Sequence, residues 1–210
     1  MDIQEICHQL IDGIRNTTWL EGVAVVSGIA SVWFSRMENI LVYPVGLVNT
    51  IIYIYLSLSG HLFGEASVNL YYTVMSIYGW ILWARKDQRS RPVVAISFSS
   101  LSQWRDQLLF FAAFYVAIYC CLSFMKTHFA PGAIPWADAL ASATAYTGMW
   151  LMARKKVESW YWWIATNITS IPLYFIKHYE FTSVYYLVLL FLAVAGLYSW
   201  KHKATHATTV

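Results

Sequence analysis

The stretch Glu158 to Tyr174, ESWYWWIATNITSIPLY, decides how the rest of the chain is read. It is apolar and long enough for a membrane-spanning helix, yet it places Trp160, Trp163, Asn167 and Tyr174 at helical spacing on one face. An amide in the middle of a span costs free energy unless something hydrogen-bonds it. Two readings stand at this point. In one, Asn167 bonds a neighbouring helix and the tryptophans form an interfacial belt. In the other, the indole faces and the amide hold a planar or cationic ligand.

Composition extends the membrane reading to the whole chain. Of 210 residues, 59% are hydrophobic, 18% aromatic and only 12% charged, where a soluble domain carries about a quarter charged residues. Mean hydropathy is +0.49. Eleven Trp and fifteen Tyr suit a protein with two membrane–water boundaries. The chain is an all-α polytopic membrane protein, with spans expected over Leu20–Phe34, Ile40–Leu58, Ala66–Ala84, Leu108–Met125, Trp136–Ala153, Trp160–Ile176 and Phe181–Trp200. Ahead of them Asp2–Asn16 has Ile3, Ile6, Cys7, Leu10, Ile11 and Ile14 at helical period, expected as an amphipathic helix on the membrane surface. It has neither the basic start nor the apolar run of a signal peptide.

Seven spans put Arg36, Arg85, Lys86, Arg89, Arg91, Arg105, Arg154, Lys155, Lys156, Lys201 and Lys203 on one face, against Arg15, Lys126 and Lys177 on the other. The basic face is expected to be cytoplasmic, with the C-terminus inside and the N-terminus outside. The net charge of +3 then reports topology, and nucleic acid is not an expected partner. Cys7, Cys120 and Cys121 have no metal or redox spacing and imply no disulfide.

The chain repeats itself at an offset of 117 residues. Trp19 and Trp136 open the first and fifth spans, and Trp33 and Trp150 keep the same separation. So do Gly79 and Gly196, and Trp83 and Trp200, in the third and seventh. Two parallel three-helix repeats joined by one span, a 3+1+3 arrangement, are the expectation. The boundaries are 1–18 for the N-terminal segment, 19–86 for the first repeat, 87–126 for a cytoplasmic linker and the central helix, 127–203 for the second repeat, and 204–210 for a cytoplasmic tail.

Such repeats place a substrate path on the axis between them. Asn49 and Asn167 occupy nearly corresponding points in the second and sixth spans, one residue out of register with the repeat. Each offers donors and an acceptor for a carboxamide or ribose hydroxyls. Asn69, Thr73, Ser76 and Trp80 lie along one face of the third span, with Tyr186 at the repeat position of Asn69. That face is expected to point inward. Gln107 is a candidate lining group at the start of the central span, and Pro172 marks a bend in the sixth. Glu21 and Asp138 sit near the outer helix ends, as helix-dipole carboxylates or as a cation-attracting vestibule.

Enzyme chemistry finds no footing. The histidines scatter over loops and tails, His202 and His206 alone being four apart. There is no phosphate-binding glycine loop and no G-x-S-x-G turn, so neither a catalytic residue nor a cofactor is expected.

Glu158-Ser159-Trp160-Tyr161-Trp162-Trp163 followed by Asn167 resembles the E-N-W-x-x-W-x-x-x-N pattern of the PnuC family of bacterial vitamin B3 transporters. The likeness takes in Trp19-Leu20-Glu21, Gly46 with Asn49, and Ile77 through Trp83, and so spans Trp19 to Trp200. Ser159 departs from the family's Asn and receives no ligand role. The resemblance implies a SWEET-like 3+1+3 fold, a homotrimer in the bacterial inner membrane, and nicotinamide riboside as substrate. It further implies facilitated diffusion, with trapping by a cytosolic kinase. The candidate substrate-binding residues are Trp160, Trp163, Asn167, Asn49, Asn69, Tyr174, Tyr186, Gln107 and Trp80. A SWEET-like carrier of a sugar, or of another vitamin or nucleoside such as thiamine, is the alternative.

Overall fold

The computed structural model describes residues 18–59, 63–88, 92–128, 134–177 and 179–207. Among them run seven α-helices: α1 (Trp19–Met37), α2 (Val42–Ser59), α3 (Phe63–Ala84), α4 (Leu101–His128), α5 (Pro135–Ala153), α6 (Ser159–Ile176) and α7 (Glu180–Ala207). The expected amphipathic segment Asp2–Asn16 lies outside the described residues, as do Arg89, Arg91, Pro131 and Gly132 of the two linkers.

Local chemistry sets the helix ends. Thr18 and Glu21 form a capping box at the start of α1, with Glu21 N–H donating to Thr18 Oγ1 at 3.2 Å and Thr18 N–H to Glu21 Oε2 at 2.7 Å. Glu21 is therefore a capping carboxylate here. A second reciprocal pair, Ser100 with Gln103, starts α4 at Leu101, a full two turns before the apolar run at Leu108. Pro135 opens α5, and Asp138 Oδ2 accepts the Ile134 N–H at 2.9 Å. At the far end α7 continues to Ala207, beyond the expected stop at Trp200.

Three helices are apolar and long enough to cross a bilayer on those grounds alone: α2 over Val42–Ser59, α4 over Leu101–Lys126 and α7 over Phe181–His206. The other four replace part of that apolarity with polar groups such as Asn69, Thr144 and Asn167. Large apolar side chains point away from the protein on several helices, with Val26 67% and Phe191 69% exposed, as lipid-facing residues do.

Helix packing closes a ring. α1 packs on α2 and α7, α3 on α2 and α5, and α6 on α5 and α7. Exchanging α1, α2 and α3 for α5, α6 and α7 leaves this set of neighbours unchanged. α4 stands outside the ring and packs on α5, where Phe110 stacks on Trp150 and Phe114 meets Tyr146 edge-on. With α3, α4 and α6 around it, α5 buries small residues: Ala137, Ala139, Ala143, Ala145, Gly148 and Ala153. Small side chains let helix backbones approach closely.

A contiguous core cluster among the described residues sits at the end of the ring where α1, α3, α5 and α7 terminate, and it includes Tyr43, Trp83, Met152, Trp160 and Trp200. Tyr43 meets Trp83 edge-on at 5.1 Å and lies against Gly79. Trp160 meets Trp200 edge-on at 5.5 Å and lies against Gly196. A Cβ at Gly196 would stand 2.5 Å from the Trp160 ring, whereas one at Gly22 meets nothing. Gly196→Ala is therefore expected to destabilise by about 1–3 kcal/mol, read as a lower unfolding midpoint in detergent, with Gly22→Ala unchanged or slightly stabilised.

Candidate functional site

Most described lysines and arginines lie at the end of the ring that carries the core cluster, and there the two halves of the chain meet through residues 117 apart. Ser35 Oγ donates to Met152 Sδ at 2.9 Å. Lys155 Nζ pairs with Glu38 Oε1 at 2.8 Å. Trp83 and Trp200, at the same separation, lie 6.2 Å apart. Their indole N–H groups cross over: Trp83 donates to Ala153 O at 3.1 Å, and Trp200 to Ser35 O at 3.0 Å.

Glu38 and Lys155 also share a backbone conformation. They are the two non-glycine residues with positive φ among the described residues, at 62° and 52°. Each follows a helix whose end is closed the same way, by Asn39 N–H on Phe34 O at 2.9 Å and Lys156 N–H on Leu151 O at 3.0 Å. Glycine ordinarily holds that position. Here the side chains are required, because they form the ion pair across the junction. Lys203 adds a second cation at 3.1 Å from Glu38, and Lys155 lies 4.5 Å over the Trp83 ring. Burial acts to raise the Glu38 carboxyl, but the hydrogen bonds and charges of Lys155 and Lys203 outweigh it and hold it below its ordinary value.

Away from this junction one face of α6 runs up the interior. Trp163 lies on Gly148 of α5 and tilts toward Tyr72 of α3, 6.1 Å away. The position of Trp163 in the first half, 117 residues earlier, is Gly46, whose neighbour is Ser31. Ser31 fills that position, since a Cβ at Gly46 would stand 2.9 Å from its Oγ. Asn167 is buried, 3% exposed, and its amide makes no hydrogen bond to another described residue. Ser170 is also buried, and Tyr174 stacks on Tyr186 of α7 at 5.2 Å and 15°. Tyr185 and Tyr186 meet at 5.7 Å, and Tyr71 stacks on Tyr146 at 4.3 Å. At the end beyond the tyrosines, Lys177 pairs with Asp138 at 2.6 Å.

Of the residues singled out in sequence, the structure brings Trp163, Asn167, Tyr174 and Tyr186 to this interior face. Trp160 is buried in the junction against Trp200 and Gly196, with its indole N–H unpartnered. Asn49 donates to Ala24 O at 2.6 Å and so faces α1; the one-residue slip against Asn167 turns it by about 100° on its helix. Asn69 donates to Glu65 O at 2.9 Å on its own helix. Gln107 is fully buried, and both ends of its amide are engaged, by Ser99 Oγ at 2.8 Å and Trp162 Nε1 at 3.2 Å. It latches α4 to α6. Trp80 is 40% exposed and points away from the interior while Ser76 on the same helix is buried. Sequence reasoning passed over Tyr72, Tyr146 and Tyr185, because nothing in their spacing separates a cavity tyrosine from a packing one. It also passed over Glu38 and Lys155, whose separation of 117 was there to be seen. No group of three or more metal-ligating side chains occurs among the described residues.

Three comparisons bear on this geometry. The chain is 23% identical over 215 aligned positions to the nicotinamide riboside transporter PnuC of Escherichia coli (strain K12), covering 91% of this chain and 89% of that protein. It is 24% identical to the riboflavin/roseoflavin transporter RibM of Streptomyces davaonensis, covering 89% and 86%. Its fold matches a crystal structure of the vitamin B3 transporter PnuC with a TM-score of 0.70 at 24% identity, covering 96% of this chain and 88% of that one. Residues 18–202 match the family described as nicotinamide mononucleotide transporter, and the chain belongs to that family as a membrane-embedded, multi-pass protein.

Proposed function

We propose that this protein carries nicotinamide riboside across the bacterial inner membrane by facilitated diffusion, a cytosolic kinase trapping the product. The observation that carries the reading is the Asn167 amide beside Trp163, which makes no hydrogen bond to another described residue although the residue is only 3% exposed. Its side-chain atoms are not sealed off as Tyr43 Oη and Trp160 Nε1 are, so its two donors and its acceptor stay open to a ligand. Nicotinamide riboside has a cationic ring, a carboxamide and a ribose. The Trp163 face and the tyrosines suit the ring, and Asn167 suits the carboxamide or a ribose hydroxyl.

In this reading α1–α3 and α5–α7 are two like-oriented units joined by α4, in a SWEET-like 3+1+3 arrangement. They rock about the site and open its ends in turn. The junction of Glu38 with Lys155 and Trp83 with Trp200 is the gate at the basic end, which the lysine and arginine bias makes cytoplasmic. The stacked Tyr174 and Tyr186 stand toward the other end. The N-terminus is outside, the C-terminus inside, and the assembly is a homotrimer; no chemical step on the substrate is involved. A flavin or another vitamin is the second reading, favoured by the riboflavin/roseoflavin transporter at comparable identity.

Calorimetry on purified protein against nicotinamide riboside, nicotinamide, riboflavin, thiamine and a disaccharide tests the substrate. Asn167→Ala and Trp163→Ala are each expected to weaken nicotinamide riboside binding by about tenfold or more, while the unfolding midpoint stays within a few degrees. Unchanged affinity in both variants removes the assignment.

The gate makes its own prediction. A carboxyl whose pKa is lowered by folding contributes stability above its unfolded value, and that contribution is lost as pH falls through the folded one. Lys155→Met is expected to cost about 2 kcal/mol at neutral pH and much less once the pH has fallen through the lowered titration of Glu38. Unfolding midpoints of the two proteins across pH check this; a penalty independent of pH would mean that the charge pair contributes nothing.

A further inference from the structure

We propose that a cleft at the basic end, between α3 and the α5–α6 turn, binds a phosphate-bearing ligand. Its volume is about 360 Å³, and its walls include Tyr78 and Leu82 of α3, Val93 and Val94 of the linker, and Arg154 and Lys156 of the turn. Ligand pockets fall in this size range. None of the residues that line it is a carboxylate. Lys156 Nζ donates only to neutral oxygens, Ser97 Oγ at 3.0 Å and Phe98 O at 3.3 Å, so one of its three N–H groups and its whole charge remain for a ligand. The Arg154 guanidinium is held 4.7 Å over the Trp150 ring, and Asp106, which lines a smaller adjoining pocket with Arg154 and Lys156, pairs with Arg105 at 3.3 Å. Glu158, on the same turn, does not compete, because both its oxygens accept from Ser99, at 2.9 and 2.7 Å.

The walls are fixed before any ligand arrives. Val93 N–H donates to Arg85 O at 3.1 Å and ties the linker to the end of α3. Further on, Ser97 N–H donates to Lys155 O at 3.2 Å and Val157 N–H to Ser97 O at 3.1 Å, which ties it to the turn. An arginine and a lysine lining one cleft bind a phosphate through charge-assisted hydrogen bonds, and the wall of Tyr78, Leu82, Val93 and Val94 suits an apolar or planar group attached to it. None of these residues belongs to the Trp163–Asn167 site, so the proposal stands or falls apart from the transport reading. An occupant spans α3 and the α5–α6 turn and holds them together.

The full chain in phosphatidylcholine nanodiscs tests this in two arms, one adding phosphatidylglycerol to the disc and one adding adenosine monophosphate to the buffer. Acylation of Lys156 by acetic anhydride is read by mass spectrometry, with Lys201, outside the cleft, as the internal control. The expected result is saturable protection of Lys156 alone in one arm, with a raised unfolding midpoint. Protection in the lipid arm identifies a headgroup site, and protection in the nucleotide arm a soluble ligand. The double variant Arg154→Gln/Lys156→Gln is expected to lose affinity about tenfold or more, and Lys156→Arg to retain it. Because protection is read on the wild-type chain, a variant that fails to fold does not decide the outcome. No saturable protection of Lys156 in either arm, or equal protection of Lys201, overturns the proposal.

Discussion

The structure depends on one contact, the pairing of Glu38 with Lys155 where the α1–α2 and α5–α6 turns face each other. Each residue sits in a left-handed backbone conformation that costs roughly 1–2 kcal/mol in a residue with a side chain. Glycine would remove that cost and with it the ion pair. The two turns have the same form, so the halves of the chain present the same surface to each other, and opposite charges at this self-facing position convert repulsion into attraction. Around this contact Ser35 meets Met152, Trp83 meets Trp200, and each indole N–H finds a carbonyl of the opposite half.

The same arrangement explains why the interior is built unequally along its length. At the basic end equivalent positions are filled alike, Tyr43 and Trp160 each lying against a glycine and each leaving a buried donor unpartnered. Further along they differ: Gly46 stands where the second half has Trp163, and Thr50 where it has Asn167. Thr50 is bonded by Thr73 at 2.9 Å, while the Asn167 amide has no partner among the described residues. The halves are thus filled alike at the basic end and unlike further along, and the proposed ligand site lies where they differ.

Much of the fold was legible. Every apolar segment became a helix, and the offset of 117 that ties Trp83 to Trp200 reappears as physical contacts. α4 begins at Leu101, ahead of the apolar run at Leu108, because the Ser100–Gln103 capping box, a short signal in a polar linker, starts it there. The site was harder to read. Asn49, Asn69 and Gln107 each look like ligand groups in sequence, yet neighbouring carbonyls or Ser99 and Trp162 take up their amides, and whether a polar group is already bonded is a tertiary property. Trp80 shares a face with Ser76 by spacing, yet Ser76 is buried and Trp80 is 40% exposed. The tyrosines of α3, α5 and α7 carry no mark that separates lining from packing.

The account turns on whether the interior at Asn167 receives a flat cationic nucleoside. A cryo-electron microscopy map of the protein purified with nicotinamide riboside measures this directly. The expected result is density for the ligand between the Trp163 indole and the tyrosines, with a polar atom about 3 Å from the Asn167 amide. Density elsewhere, or an Asn167 side chain that the ordered ligand does not reach, would contradict it.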